Sequence, residues 1–457
     1  MINMEKLEKV KQKTGTGDRI LFGMPRLGTS IVLGIESWAV ATLYSSGFGL
    51  SNFLTWFAIA MGYLTIAASQ FLVGWVSDVK YSKLGRRKPY IYIFAPLLGL
   101  SFIFMLLPVY FLPDLNNKTS LFLWLLIWDI VFRASYAVTT PYQAWMAEIF
   151  TTEERPKVSQ LQNTFNYIGN GIMSIFTLIL VTNYINLLEI EPNVQPPLFY
   201  WLPIILFGLI TIILFYLTAI FLPTEPHYEI HSDMMDNLKT IIKNKNFMLI
   251  ILMVGISGLG WTMVTTTMLK YTVDALNLEG FDFYIVAISL LLFIFIALYL
   301  WRILIHKIGK KNTLLYVFIL AIFFLPITFL ALIPMNNYLI IGIIFILGIG
   351  IILGGWFLFP YIVYADVAED DQKKTGELKA GIYTGFPSII LNIFQAFGAF
   401  LIGIILEIPY YINPGGFPEA YSIGLLLWGP LASLVLIVSY FYTKKFVTLD
   451  FEWEKRD

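Results

Sequence analysis

Two neighbouring segments, Gly74-Trp75-Val76-Ser77-Asp78 and Gly85-Arg86-Arg87-Lys88-Pro89, form a short, very basic turn between two long apolar runs. A weaker copy of this turn occurs later in the chain, as Trp301-Arg302 followed by Lys307-Ile308-Gly309-Lys310-Lys311. About half of the 457 residues separate the two turns. The sequence therefore predicts two homologous halves, each with a charged hinge after its second membrane helix.

The composition places this chain in a lipid bilayer. Hydrophobic residues make up 58% of the sequence and charged residues 13%, which is more apolar surface than a soluble core of this size can bury. Runs of about 20 apolar residues, the length that crosses a bilayer as a helix, recur along the chain. They predict an all-α membrane protein with twelve transmembrane helices at residues 27–47, 52–76, 90–112, 120–147, 158–183, 198–222, 247–270, 282–305, 313–334, 337–363, 380–407 and 421–443.

The positive charges indicate the orientation of these helices. Nearly all of the 30 Lys and Arg residues fall in the tails and in the loops on one side. Because cytoplasmic loops carry such an excess, we expect both termini of this cell-membrane protein to be cytoplasmic. The formal net charge of zero suggests no nucleic-acid partner. The chain has no cysteine and only three histidines, all in loops, so we expect no metal site and no cofactor.

The longest polar stretch divides the chain near its centre. It runs from Pro223 to Asn246 and predicts a first six-helix bundle at residues 1–222, a cytoplasmic linker at 223–246 and a second six-helix bundle at 247–457. Within the linker, apolar residues from Met234 to Ile242 recur at helical spacing. This pattern is typical of a helix on the membrane surface, and a flexible linker is the alternative.

Polar residues inside two equivalent spans follow one helix face. Asn163, Asn166 and Asn170 lie on the fifth span, and Asn392 and Gln395 lie on the eleventh. A buried amide needs a partner or a water-filled cavity, so both stripes are candidates for binding sugar hydroxyls in a central cavity. The alternative is that these amides bridge neighbouring transmembrane helices.

Aromatic residues deep in the spans are candidates for stacking against sugar rings. Most Trp and Tyr residues are expected in the interfacial belts of the bilayer. Five lie deeper, and core packing is the alternative for each of them: Trp38, Tyr63, Tyr136, Trp261 and Trp356.

Three charged residues lie deep inside predicted spans, where a charge costs about 2.5–3.5 kcal/mol on the insertion scale. Glu36 has no basic residue one helical turn away, and we expect it to exchange a proton or to bond a neighbouring helix in its neutral form. Asp129 and Arg133 are spaced to form an ion pair along one helix. That pair is either structural or part of the transport site.

The basic turn is a candidate cytoplasmic gate. Asp78, Arg86 and Arg87 lie at the ends of the second and third spans, where a carboxylate can gain and lose helix N-terminal amides and guanidinium donors. Such a latch biases an alternating-access equilibrium. The alternative, a positively charged cytoplasmic anchor, explains the arginines but not Asp78.

Three groups of residues resemble a known family. The first is the basic turn itself, from Gly74 to Tyr90; the second is Pro141-Tyr142-Gln143-Ala144-Trp145-Met146-Ala147-Glu148 with Arg155 and Gly169-Asn170; the third is Tyr364-Ala365-Asp366-Val367 with Lys374-Thr375-Gly376 and Gly381. Over its whole length the chain resembles the glycoside-pentoside-hexuronide:cation symporters of the major facilitator superfamily. It is most similar to their sucrose-transporter branch.

The resemblance implies a major facilitator fold of two pseudo-symmetric six-helix bundles, and coupled uptake of a sugar or glycoside. Gly34 to Glu36 look like the first helix of the animal relatives of sucrose transporters, which favours protons. Ser30, Ile66 and Gln70 stand where the melibiose-permease branch has its sodium-binding acids, so sodium is disfavoured. The plant sucrose branch has an arginine at the position of Gln143.

These observations together predict a secondary transporter that moves a sugar, such as a disaccharide, with a proton across the cell membrane. Gln70 and Gln143 join the candidate substrate-binding residues, and Gly85 and Asp366 join the candidate gate. Facilitated diffusion of sugar, transport of a lipid-like amphiphile and a non-transporting sensor remain as alternatives. An enzyme is disfavoured, because no metal-ligand pair, nucleophile elbow or nucleotide-binding turn occurs in the sequence.

Overall fold

The computed structural model of the chain describes residues 15–151, 154–191, 194–225, 239, 242–278, 280–335, 337–375, 380–414 and 420–450. Helices make up nearly all of this part. The exception is a pair of short antiparallel strands, Tyr411–Ile412 and Tyr421–Ser422.

The α-helices follow the apolar runs of the sequence. They are Thr16–Gly23, Pro25–Thr42, Asn52–Val79, Lys88–Leu106, Lys118–Ser135, Thr139–Ile149, Arg155–Ile175, Thr182–Ile190, Leu198–Phe221, Lys245–Lys270, Gly280–Ile308, Lys310–Phe324, Leu339–Thr375, Ala380–Leu406 and Gly424–Phe446. Short 3₁₀ segments occur at Pro108–Tyr110, Tyr136–Val138 and Leu325–Leu332.

Within the described residues, twelve helical segments are long and apolar enough to cross a membrane, which confirms the predicted number of spans. We number them spans 1 to 12: Thr16–Gly47, Asn52–Ser77, Lys88–Leu106, Lys118–Met146, Lys157–Ile190, Leu198–Phe221, Lys245–Ala275, Gly280–Ile308, Lys310–Leu332, Leu339–Pro360, Phe386–Leu406 and Gly424–Phe446.

Several helix ends differ from the predicted ones. Span 1 begins at Thr16 rather than 27, and the Asp18 carboxylate accepts a hydrogen bond from the Gly15 backbone N–H (2.8 Å) at this start. Span 3 ends at Leu106, before the proline of a 3₁₀ turn. The helix that contains span 10 continues to Thr375, because polar residues can extend a helix beyond the apolar run that hydropathy detects.

Three spans contain π-helical turns. These turns are Leu43–Gly47 in span 1, Phe176–Val181 in span 5 and Tyr271–Ala275 in span 7. Such turns are rare and frequently occur at functional sites. Spans 1 and 7 begin the two predicted halves, and both close with a π turn, so the turn is part of the internal repeat.

The chain folds into two compact units, each assembled from separate stretches of sequence. The first unit comprises Met1–Glu36, Thr65–Phe176 and Gln195–Asn237, and the second comprises Ser37–Leu64, Thr177–Val194 and Leu238–Asp457. The three-part division at residues 222 and 246 stays a prediction. The helix predicted between Met234 and Ile242 lies largely outside the described residues.

Glycines allow close helix packing within each unit. In the first unit, a Cβ at Gly99 of span 3 would lie 2.4 Å from the Gly208 carbonyl oxygen of span 6. In the second unit, a Cβ at Gly429 of span 12 would lie 2.3 Å from the Leu325 carbonyl oxygen of span 9. Small residues of this kind let the backbones of membrane helices approach closely.

The contact between Gly99 and Gly208 predicts a specific stability loss. We expect Gly99→Ala to lower the free energy of unfolding by about 1–3 kcal/mol, since the added methyl must displace span 6. The control is Gly171→Ala, because a Cβ at Gly171 meets nothing within 4 Å. Thermal unfolding of the purified variants in detergent measures both. Equal midpoints for the two variants would contradict the close packing.

Candidate functional site

The basic turn of the first unit is a sharp hinge held by a distant acid. Gly85 has a φ of +92°, a left-handed conformation that favours glycine. The Glu225 carboxylate, which follows span 6, accepts hydrogen bonds from the backbone N–H groups of Arg86 and Arg87 (3.2 Å for Arg87). A carboxylate at the start of a helix satisfies unpaired N–H groups and complements the helix dipole.

The arginine side chains of this hinge bind a second acid, Glu148, at the end of span 4. Arg86 Nη2 lies 2.9 Å and Arg87 Nη2 lies 2.6 Å from Glu148 Oε1, and Arg87 Nη1 donates to Ser77 Oγ at 2.8 Å. Both arginines and Glu148 are buried. The positive charges therefore serve an internal network rather than only an anchor at the membrane surface.

The second unit contains the same arrangement. Gly309 has a φ of +83°, and the Asp450 carboxylate accepts hydrogen bonds from the backbone N–H groups of Lys310 (2.7 Å) and Lys311 (3.3 Å). Lys310 Nζ forms an ion pair with Asp366 at 2.7 Å. We call each set of a glycine, a following cation and two acids a hinge lock.

The two hinge locks match position by position. The equivalent pairs are Gly85 and Gly309, Arg86 and Lys310, Glu225 and Asp450, and Glu148 and Asp366. Sequence reasoning found the turns but missed the acids that follow spans 6 and 12. A signal for them was present, because each half carries an acid shortly after its last apolar run. The Asp78 side chain lies outside what the structure describes.

The three charged residues predicted inside spans meet in the first unit. Glu36, Asp129 and Arg133 are all buried, with 1%, 0% and 3% exposure. Arg133 Nη2 donates to Glu36 Oε1 at 2.6 Å. Arg133 therefore binds an acid on another helix. The sequence had predicted Asp129, which lies one turn away on the same helix, as its ion-pair partner.

Asp129 has an unusual environment. Neither of its carboxylate oxygens accepts a hydrogen bond from a donor among the described residues. Its side chain lies within hydrogen-bonding reach of the Glu36 carboxyl group and also interacts electrostatically with Arg133. Two carboxylates share one guanidinium here, so the group carries a net negative charge when both acids are ionised. One bound proton would make it neutral, and two neighbouring carboxyl groups attract each other only when one is protonated.

The asparagines of span 5 have different surroundings. Asn166 Oδ1 accepts a 2.5 Å hydrogen bond from Ser30 Oγ, so it bridges spans 1 and 5. Asn163 is exposed and lines an open cavity of about 490 Å³. Asn170 is half-buried. The other residues that line this cavity are Ser159, Gln160, Thr164 and Tyr167.

Gln143 belongs to a network that sequence reasoning missed. When its amide is oriented so that the oxygen faces the surrounding donors, that oxygen accepts hydrogen bonds from Arg26 Nη2 (2.7 Å), Arg26 Nε (3.0 Å) and Gln162 Nε2 (3.3 Å). Gln162 Nε2 also donates to the Tyr142 hydroxyl at 2.9 Å. The sequence signal was a lone arginine at the start of the first apolar run. Elsewhere in the first unit, Gln70 and Tyr136 are half-buried.

In the second unit, two of the candidate aromatic residues stack on each other. The rings of Trp261 and Trp356 stack with their centroids 5.6 Å apart, and Trp261 Nε1 is buried without a hydrogen-bond partner among the described residues. Asn392 donates to the Ser388 carbonyl oxygen at 2.7 Å, within its own helix. Trp38 and Tyr63 are buried, and Gln395 is half-buried.

Twelve spans, a repeated charged hinge and a buried acid–arginine cluster define a membrane transporter built from two related halves. The chain belongs to the MFS/sugar transport protein family, whose sequence profile matches residues 21–443. This is a transporter family and not an enzyme family. Its members carry small, sugar-like molecules across membranes by secondary transport.

Solved structures have the same fold. Crystal structures of the nucleoside transporter NupG and of a point mutant of it match with a TM-score of 0.61 each. Their sequence identities are 13% and 14%, and each match covers 94% of this chain and 99% of NupG. At this identity the likeness shows the major facilitator fold alone. A comparison with curated proteins gives no match.

The hinge locks predict a matched pair of stability losses. We expect Glu225→Ala and Asp450→Ala each to lower the free energy of unfolding by about 1–3 kcal/mol, because each leaves two backbone N–H groups of a helix start without an acceptor. Thermal unfolding in detergent measures the loss. Glu191→Ala is the control, since Glu191 is exposed. Midpoints equal to that of the control would contradict a role of these acids in the hinges.

Proposed function

We propose that this protein is a proton-coupled sugar transporter that moves a sugar or glycoside across the cell membrane by alternating access. Family membership supports a sugar-like substrate. The observation that supports coupling of sugar transport to protons is the buried group of Glu36, Arg133 and Asp129, in which two acids share one cation. Ionisable side chains inside a membrane cost free energy and are rare, so we expect this buried group to have a function.

In this proposal Asp129 carries the proton. Glu36 already holds a charge-assisted hydrogen bond with Arg133. Asp129 has no such bond, so a proton there removes the excess negative charge of the group. When Asp129 releases the proton, it competes with Glu36 for Arg133. Exchange of this partner would couple proton release to helix movement.

Each unit by itself offers candidate groups for contact with a sugar. Asn163 at the open cavity, together with Asn166, Asn170 and Gln143, offers amide groups to sugar hydroxyls on the first unit. On the second unit, Trp261 presents a buried ring N–H without a partner beside the Trp356 ring. The remaining candidates, which we retain as proposed contacts, are Trp38, Tyr63, Gln70, Tyr136, Asn392 and Gln395.

The hinge locks are the proposed cytoplasmic gate. Each lock joins the start of one span to acids that lie at the ends of two others, so these helix ends move as one while the lock is closed. The excess of positive charge on this side supports cytoplasmic termini. Within the family, the residues from Gly74 to Tyr90 support the sucrose-transporter branch of the glycoside-pentoside-hexuronide:cation symporters.

Uptake assays with the purified protein in proteoliposomes test the proposed function and the role of Asp129. We expect the wild type to accumulate a sugar from a panel of glycosides and disaccharides when the medium outside the proteoliposomes is more acidic than the interior. Asp129→Asn, which keeps the size of the side chain, should retain sugar counterflow and lose accumulation by at least about tenfold. Nucleosides belong in the panel because of the structural likeness to NupG.

The outcomes separate the alternatives. Sugar that equilibrates but is never concentrated under any ion gradient would make the protein a uniporter and would refute proton symport. Exchange of lysolipids without exchange of sugars would indicate an amphiphile transporter, and high-affinity binding without counterflow would indicate a sensor. Accumulation by Asp129→Asn at the wild-type level would show that Asp129 does not carry the proton.

Glu36→Gln is expected to act through stability instead. It leaves the buried Arg133 without its acid, and loss of one partner of a buried pair costs about 3–5 kcal/mol. The unfolding midpoint of Glu36→Gln should therefore fall well below that of Asp129→Asn. Similar midpoints would mean that Arg133 is held equally by both acids.

A further inference from the structure

The last turn of span 12 carries two adjacent lysines that have no acid partner among the described residues. Lys444 and Lys445 are both exposed. Their ammonium groups lie over rings of their own helix, Lys444 at 5.7 Å from the Tyr440 ring centroid and Lys445 at 5.2 Å from that of Phe446. Two neighbouring positive charges therefore face outward from this helix end.

The lysines end an apolar stripe on the exposed face of span 12. Leu434, Val438 and Phe441 are exposed, and their spacing of four and three residues continues with four more to Lys445. An exposed apolar stripe of a membrane helix contacts acyl chains, and a lysine at its end extends its charge into the headgroup region. The stripe and the lysines thus match the two parts of a phospholipid.

The first half of the chain has the same helix end. Phe221 of span 6 and Phe446 of span 12 are both exposed, and the residues that follow them, Leu222 and Val447, are both buried. In each half the first acid of the hinge lock comes four residues after the phenylalanine. The two helix ends can therefore be compared position by position.

This comparison shows that the fold does not require the two lysines. Ala219 and Ile220 stand in span 6 where span 12 has Lys444 and Lys445. A general need for positive charge at a cytoplasmic helix end would apply to both halves, because both ends are predicted on the same side. The lysines are therefore a separate property of the second half.

Two acids near this helix end serve the second hinge lock. Asp450 accepts hydrogen bonds from backbone N–H groups at the start of span 9, and Asp366 forms an ion pair with Lys310. In the described part of the chain, neither acid contacts the two lysines of span 12. Their charges are therefore not balanced by the lock.

We propose that this end of span 12 is a binding site for an anionic phospholipid. The phosphate binds Lys444 and Lys445, and an acyl chain lies along the stripe from Leu434 to Phe441. A zwitterionic lipid fits less well, because its own cation lies close to its phosphate and is repelled by the lysines. A free phosphate would gain nothing from the stripe. The proposal does not depend on sugar transport.

A lipid bound here would hold the segment that carries the acid of the second hinge lock. The chain reaches Asp450 five residues after Lys445, and Val447 and Leu449 between them are buried. A ligand that binds only the folded protein raises its stability. Anionic lipid is therefore expected to stabilise this protein against unfolding.

Titration of the purified protein in detergent with two lipids tests the site. Dioleoyl phosphatidylglycerol and dioleoyl phosphatidylcholine have the same chains and differ in net charge. Native mass spectrometry measures the affinity for each, and the shift of the unfolding midpoint gives a second readout. We expect the wild type to bind phosphatidylglycerol more tightly. The double variant Lys444→Gln/Lys445→Gln should lose about 25-fold in this affinity, about fivefold for each lysine, and bind phosphatidylcholine as before.

Three further variants serve as controls. Lys444→Arg/Lys445→Arg keeps both charges and should keep the affinity for phosphatidylglycerol. Lys118→Gln removes an exposed cation from the start of span 4 and should also leave it unchanged. Ile220→Lys, added to the double glutamine variant, places a cation at the matching end of span 6 and should restore about fivefold.

Several results would overturn the inference. Equal affinity of the wild type for both lipids excludes a site for anionic lipid. An unchanged affinity for phosphatidylglycerol in the double glutamine variant places the lipid elsewhere. If the double arginine variant loses binding as well, the lysines act through local packing rather than through charge. A midpoint that rises as much with inorganic phosphate as with phosphatidylglycerol indicates an anion site that does not use the stripe.

Discussion

A charged side chain inside a bilayer is stable only when the protein supplies the hydrogen bonds and the opposite charge that water cannot supply there. The pair of Glu36 and Arg133 shows how this chain meets that constraint. The arginine reaches across to a different helix and binds an acid that has no basic neighbour one turn away on its own helix. Beside this pair, Asp129 accepts no hydrogen bond from a donor among the described residues. The geometry thus combines one buried ion pair with one further acid, and the proposed proton coupling rests on this combination.

The same constraint explains the hinge locks. A sharp turn between two membrane helices exposes the first N–H groups of the second helix, and these need acceptors. In both units a carboxylate from the end of the sixth or twelfth span supplies them, and a cation beside the hinge glycine binds a second acid. The turn is therefore tied to two other helix ends by charge-assisted hydrogen bonds, which are stronger than neutral ones.

The sequence predicted the twelve spans and the hinges because both are local signals. Apolar runs and a glycine among basic residues can be recognised without knowing what lies opposite them. The hydrogen-bond partners of the charged residues were harder to predict. Glu225 lies 139 residues from Arg86, whose backbone N–H it binds. Spacing along one helix favoured Asp129 over Glu36 as the partner of Arg133. Arg26 was missed for a related reason, because an arginine near a helix end that is predicted to be cytoplasmic resembles an ordinary membrane anchor.

The position of Glu225 has a consequence for how this chain can be divided. The residue lies just beyond span 6 and bonds back to the start of span 3, so the first half of the sequence contains every group of its own lock. Asp450 does the same for the second half. All groups of the first lock therefore precede the connection between Glu225 and span 7, and all groups of the second lock follow it. An insertion in this connection therefore separates no member of either lock from the others along the chain.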